Sequence, residues 1–231
     1  MRGNNELLSY NPVANPAAIV SVPNARFTVL TPWLIRMEYS TSGTFEDRAT
    51  LAFVNRALPV PAFTTNTVNN VLVISTNAVK LRYTMGQPFS SSSLQVLGID
   101  GASPFQSWYY GQPDDGNLFG TIHTLDELNV TPLNCTLNAN ITVHGESLHC
   151  EWGVVSRNGW SLIDDTPNYA LDSNYWWAGP NADTLDLYLF AHGYNYQQAL
   201  LDFVQVGGRI PMLPRYGMSC VCVCVCVCVC V

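Results

Sequence analysis

The chain has 231 residues, a formal net charge of -7, only 12% charged residues, and 48% hydrophobic and 11% aromatic residues. Its ten Lys and Arg are scattered singly, which excludes a phosphate-binding surface and with it nucleic acid as a partner. No apolar run approaches the ~18 residues of a membrane-spanning helix, so no membrane partner is expected either.

A chain of this size buries about 70% of its unfolded surface, enough for one large domain or two small ones. Residues 1–20 read as an irregular N-terminal segment. The apolar run at 17–22 is short, is broken by Ser21 and follows no basic region, so it is not the core of a signal peptide. The compartment is therefore open: intracellular, or secretory if an upstream exon precedes Met1.

From residue 21 onward the periodicity is that of strands. Residues 34–39 alternate, with Ile35, Met37 and Tyr39 on one face and Arg36 and Glu38 on the other. Residues 78–83 repeat the pattern, Val79, Leu81 and Tyr83 standing against Lys80 and Arg82. Both are expected to be half-buried. Shorter strands are expected at 27–31, 50–54, 71–75, 94–97, 153–156 and 160–163, each bounded by Gly, Pro, Asn or Ser. Residues 184–190 form a further strand with Leu185, Leu187 and Leu189 on one face. Many short strands at this spacing predict an all-β fold, an antiparallel β-sandwich rather than a parallel α/β sheet.

Between these strands lie the residues with chemical potential. Aromatic density peaks at Trp108-Tyr-Tyr-Gly111 and Tyr175-Trp-Trp177, where rings either fill a large core or stack on the apolar faces of sugars. The pairs Asp114-Asp115 and Asp164-Asp165 are poor acid/base pairs, because neighbours in a strand point to opposite faces and in loops usually cap turns. His123, His144, His149 and His192 fall in no metal-binding or triad spacing, the Ser90 to Ser93 run has the composition of a flexible loop, and Gly116 to Gly120 lacks the Lys of a phosphate loop, so neither metal nor cofactor is expected. Three sequons, at Asn129, Asn134 and Asn140, crowd beside Cys135 and Cys150. In an oxidising compartment those two cysteines would close a loop worth about 3 kcal/mol, on a glycosylated surface.

One segment has helical rather than strand periodicity. Over 195–206 the apolar residues Tyr196, Ala199, Leu200, Phe203 and Val204 recur at helical spacing, with Asn195 as N-cap and Gly207 just past the end. The sandwich domain is thus set at 21–206 with this helix closing it. Residues 207–218 follow as a stiff connector with two prolines. The tail at 219–231 contains Cys-Val six times over. Repeated TG in DNA encodes that dipeptide in every frame of that strand, so a translated microsatellite is the expected origin. A ladder of alternating cysteines also splays its sulfurs too far apart to converge on one zinc ion.

Several runs resemble the amino-terminal region of glycoside hydrolase family 31, the family of α-glucosidases and α-xylosidases. They are Phe27-Thr-Val-Leu-Thr-Pro-Trp-Leu-Ile-Arg-Met-Glu-Tyr-Ser40, Phe45-Glu-Asp-Arg-Ala-Thr50, Val54-Asn-Arg56, Asn117-Leu-Phe-Gly-Thr-Ile-His-Thr-Leu-Asp126, Val155-Ser-Arg-Asn-Gly-Trp-Ser-Leu-Ile-Asp-Asp165 and Ala199-Leu-Leu-Asp-Phe-Val-Gln-Val-Gly-Gly-Arg-Ile-Pro-Met-Leu-Pro-Arg-Tyr216. They occur in the family's order and end at Met218. The resemblance implies a galactose-mutarotase-like sandwich leading through a helix and a proline-rich connector into a catalytic (β/α)8 barrel.

Both catalytic aspartates of such a family lie on that barrel, past Met218, so the resemblance implies a non-catalytic front part of a hydrolase of α-glucosides or α-xylosides, inert alone. Carbohydrate is the partner expected through the barrel. The resemblance also places Asn117, Leu118 and Thr121 on a loop toward the active-site mouth, with Trp108 and Tyr109 just upstream as substrate contacts. The family usually has Gly where Phe119 stands. Two other readings stand beside this one: a free-standing carbohydrate-binding sandwich, and a non-functional truncated product with an exposed, aggregation-prone face.

Overall fold

The computed structural model describes residues 11–99, 105–119, 142–143, 146–147, 152–174, 176–180 and 183–209. After a single 3-10 turn at Pro16–Ala18, the described strands are β1 (Ile19–Val22), β2 (Ala25–Val29), β3 (Leu34–Ser40), β4 (Thr64–Val68), β5 (Val71–Ser75), β6 (Val79–Thr84), β7 (Leu94–Gly98), β8 (Ser107–Tyr109), β9 (Thr142–Val143), β10 (Glu146–Ser147), β11 (Ser161–Asp164), β12 (Ala170–Leu171), β13 (Trp177–Ala178) and β14 (Thr184–Phe190). One helix, α1 (Tyr196–Gly207), follows.

Two five-stranded antiparallel sheets face each other. The first has the order β1-β2-β3-β14-β11, and the second is a consecutive meander, β4-β5-β6-β7-β8. Phe27, Ile35, Met37, Leu187 and Leu189 from the first sheet interdigitate with Leu72, Ile74, Val79, Leu81, Val96 and Trp108 from the second. Each such fully buried aliphatic or aromatic side chain contributes roughly 1.5–3 kcal/mol of hydrophobic free energy. The fold is thus an all-β sandwich, as the strand spacing predicts.

Local signals set the register. The turn between β4 and β5 is Asn69-Asn70, with φ of 48° and 63°. Asn tolerates that left-handed conformation, and the pair suits the twist of a two-residue hairpin. β6 alternates as expected, with Val79, Leu81 and Tyr83 buried against exposed Lys80 and Arg82.

β3 departs from expectation. It is buried on both faces, because the outer side of the first sheet is covered by a third layer made of the 45–56 segment and α1. Leu34, Tyr188 and Phe190 on that side pack with Phe53 and Val206 in a second, smaller core. Beside it the residues expected on a solvent face form a buried ion network. Arg26 donates to both oxygens of Glu38 at 2.7 and 2.9 Å, and Arg36 donates to both oxygens of Asp186 at 2.8 and 2.6 Å. Desolvating such charges is costly and tolerable only when they are paired and hydrogen-bonded.

Two expected strands are turns. At 50–54 the Thr50 hydroxyl accepts from the Phe53 amide at 3.1 Å and donates to Asp165 at 2.7 Å, closing the backbone on itself. At 153–156 the chain bends, and Ser156 makes an isolated bridge with Asn117. Seven of the described strands carry no expectation: β1, the fully exposed edge strand β4, β8, and the two-residue strands β9, β10, β12 and β13. Helix α1 begins at the expected cap, since the Asn195 side chain accepts from the Gln198 amide. It includes Gly207 and is capped by Gly208 at φ 85°. The sequence past Arg209, which holds most of the connector and all of the Cys-Val tail, lies outside the described residues.

Candidate functional site

Strand alternation decides which of the clustered aromatics reaches solvent. Trp108 turns inward at 1% exposure and packs edge-on against Trp160, with centroids 6.3 Å apart. Tyr109, next along β8, turns outward and is 42% exposed. Of these two sequence-predicted contacts, only the tyrosine exposes its ring. Of the second aromatic cluster, Trp176 is 74% and Trp177 53% exposed, and Tyr175 lies outside the described residues.

Beyond β8 the chain turns at Gly111 (φ 84°) and meets the 152–160 loop in a zipper of hydrogen bonds. The Leu118 amide donates to Val155 O at 3.0 Å and the Arg157 amide to Gly116 O at 2.8 Å. Gly116 lets the strands close here, because a Cβ would lie 2.7 Å from Asn158 Oδ1 and 3.0 Å from the Asn158 amide nitrogen.

Asp114 is buried in this seam and accepts from Asn117, Ser156 and Asn158 at 2.9, 2.5 and 3.1 Å. Asn117 is also buried. Its Nδ2 donates to Gly153 O and Ser161 Oγ, and its Oδ1 accepts from the amides of Phe119 and Gly153. Asn117 therefore ties the loop together through its hydrogen bonds. Leu118 and Phe119 are 41% and 39% exposed. Phe119 holds φ at 47°, the left-handed region where glycine is at ease, and its ring sits edge-on to Trp152 at 5.4 Å. Thr121 lies outside the described residues, as do Cys135, Cys150, Asn129, Asn134, Asn140, His123, His144 and His149.

On the other side of the seam opens a cleft of about 520 Å³, lined by Tyr109, Gln112, Asp115, Arg157, Trp160 and Tyr194 among others. Its walls come from the end of β8, the zippered loops and the turn that leads into α1. Asn158 donates to Asp115 Oδ1 at 2.9 Å and Gln112 Oε1 accepts from the Tyr109 amide at 3.3 Å. Asp115 Oδ2, Gln112 Nε2 and the Arg157 guanidinium make no hydrogen bond among the described residues, so they are available to a ligand. Sequence reasoning picked Tyr109 here and missed Arg157, Asn158 and Tyr194. The first two stand in a family-like block, which was the signal available.

The other aspartate pair is structural. Asp164 caps a turn by accepting from the Thr166 amide at 3.0 Å, and Asp165 accepts from Thr50 and from Asn168 at 2.7 and 2.6 Å. Burial pushes the Asp165 carboxyl up to about 6. His192 makes no metal site. Its Nε2 is 2.9 Å from Asp202 Oδ2, which also accepts from Thr31 at 2.6 Å, while Gln198 donates to Oδ1 at 2.7 Å. Burial alone would raise Asp202, but the hydrogen bonds from His192, Thr31 and Gln198 outweigh it and hold the carboxyl below its ordinary value. Among the described residues no group of three or more His, Cys, Asp or Glu is placed to hold a metal ion.

Neither a family model nor a curated protein matches the chain. Solved structures do. The chain is similar to a GH31 dextranase of Flavobacterium johnsoniae complexed with glucose, at 16% identity over 85% of this chain and 27% of that one, with a TM-score of 0.46. It is similar to a cycloalternan-forming enzyme of Listeria monocytogenes in complex with a pentasaccharide substrate, at 12% identity over 87% and 23%, with a TM-score of 0.47. A GH31 α-xylosidase from a soil metagenome complexed with xylose is 13% identical over 86% and 34%, with a TM-score of 0.44. The chain thus spans between 23% and 34% of the length of these structures.

Proposed function

We propose that this chain is the N-terminal, non-catalytic β-sandwich part of a family 31-type glycoside hydrolase, a protein that cleaves α-glucosides or α-xylosides on a barrel encoded past Met218. The observation that carries the reading is the way the family-like blocks interlock. Arg36 of the first block donates to Glu46 O of the second at 2.6 Å, and Arg56 of the third donates to Arg48 O at 2.8 Å. Asn117 and Ser156, from the fourth and fifth, bridge, and Thr31 of the first donates to Asp202 of the last. Thr50 of the second donates to Asp165 of the fifth at 2.7 Å, so the six runs, separated by up to 171 residues, form one polar framework. Chance matches have no reason to converge in this way.

The chemistry agrees. A retaining glycosidase needs two carboxyl groups about 5 Å apart on either side of the scissile bond. Among the described residues Asp115 is the single carboxylate lining this cleft, while Asp114, Asp165 and Asp202 are committed to hydrogen bonds inside the fold. Carbohydrate is accordingly the partner of the whole protein rather than a substrate of this part. The full chain, assayed on aryl α-glucosides and α-xylosides, is expected to show no turnover above background. Turnover that persists through purification and disappears in Asp115→Asn, Asp164→Asn or Asp165→Asn would overturn the non-catalytic assignment.

A further inference from the structure

We propose that the cleft between Tyr109 and Tyr194 is a binding site for a neutral pyranose sugar, a subsite carried by the sandwich itself. The proposal rests on the carbohydrate reading above for the class of ligand, and on the cleft for everything else. Its volume of about 520 Å³ lies in the range of small-molecule sites. Tyr109 and Tyr194, 42% and 60% exposed, come from β8 and from the turn before α1. They supply two ring surfaces on which the C-H face of a pyranose can stack.

Between them the polar groups are in surplus and of both kinds. Arg157 and Gln112 Nε2 offer donors, and Asp115 Oδ2 offers an acceptor. The charges of Asp115 and Arg157 cancel within the cleft, which suits a neutral polyol better than an anion or a cation. A bare phosphate or sulfate would meet the Asp115 carboxylate, and a cationic ligand would meet Arg157. Asp115 is also fixed in place, since Asn158 holds its Oδ1 and the backbone zipper at Gly116 and Arg157 holds both loops. Acceptor and guanidinium are thus presented by a rigid seam rather than by free loops, which lowers the ordering cost of binding.

The test is an NMR titration of the full 231-residue chain, kept reduced, with D-glucose, D-xylose and isomaltotriose. Saturable shifts of the Asn158 side-chain amide and the Trp160 indole are expected, with a dissociation constant on the order of 1 mM for the best sugar. Tyr109→Ala and Tyr194→Ala should each weaken it about three- to tenfold. Trp176→Ala, which removes an exposed ring elsewhere, should leave it unchanged. Both tyrosines lie on the surface, so their removal costs little buried area, and retained spectral dispersion checks folding. No saturation with any of the three sugars at about 50 mM, some fiftyfold above that constant, overturns the site. Equal binding by a Tyr109→Ala, Tyr194→Ala double variant overturns it too, as does loss of binding in Trp176→Ala. The hydrolase reading fails separately, through the coding sequence past Met218. Sugar binding without a barrel would keep the cleft and remove that reading, and the reverse result would remove the cleft alone.

Discussion

Asp165 shows how one residue can set a pH dependence. Its carboxyl is 2% exposed and lies 4.0 Å from the Arg56 guanidinium, and burial pushes it from 3.8 up to about 6. An acid whose folded value is raised binds its proton more tightly in the folded state. Its stabilising contribution is therefore complete below about pH 4 and is lost as pH rises through about 6. The loss is on the order of 2–3 kcal/mol. Asp165→Asn should remove this slope. The thermal midpoint of the native chain, measured relative to that of the variant, should fall between about pH 4 and pH 6. Parallel profiles for the two proteins would show that Asp165 titrates at its ordinary value.

The same scale explains what was legible in the candidate site. Aromatic density drew notice to Trp108 and Tyr109, and strand alternation alone dictates that one of them must be inside. Composition could not say which, because that depends on the face β8 turns toward the first sheet. Arg157, Asn158 and Tyr194 reach the cleft from more than 40 residues beyond Asp115, across a seam that no local spacing encodes. The left-handed Phe119 was legible in outline, as the place where glycine would be expected.

At the level of elements, alternation located strands but did not tell how many of their faces are covered. β6 and β14 follow from alternation, and α1 follows from its apolar spacing and its Asn195 cap. β4 has no buried face to leave a pattern, whereas β3 and β14 alternate in sequence yet are buried on both faces. The short apolar runs at 50–54 and 153–156 became turns because Thr50 and Ser156 bond to nearby backbone instead of allowing a ladder.

Helix α1 is fastened to the sandwich chiefly through Asp202, which gathers Thr31, His192 and Gln198 at 2.6 to 2.9 Å. Asp202→Ala would leave a buried hydroxyl and a buried imidazole without that partner. A loss of about 3 kcal/mol is expected in urea unfolding of the full chain, with no change in the denaturant slope if the transition stays cooperative. A loss under about 0.5 kcal/mol would mean that the apolar contacts of Ala199 and Val206 hold the helix unaided.

For the whole molecule, the three layers follow from one requirement. The first sheet presents apolar residues to the meander and charged residues to the outside, and the 45–56 segment must cover those charges with partners. That covering layer is built from the runs that resemble family 31, which ties fold and family reading to the same residues. On the proposed reading, the sandwich supplies a frame and a sugar-sized cleft, and the hydrolytic carboxylates belong past the connector. The most direct test is to read the coding DNA beyond Met218, across and past the TG repeat. The account predicts a frame that resumes with a barrel strand and its tryptophan-rich loop, and that encodes a (β/α)8 barrel carrying two aspartates on strand ends. A coding region that contains no such barrel in any frame would contradict it.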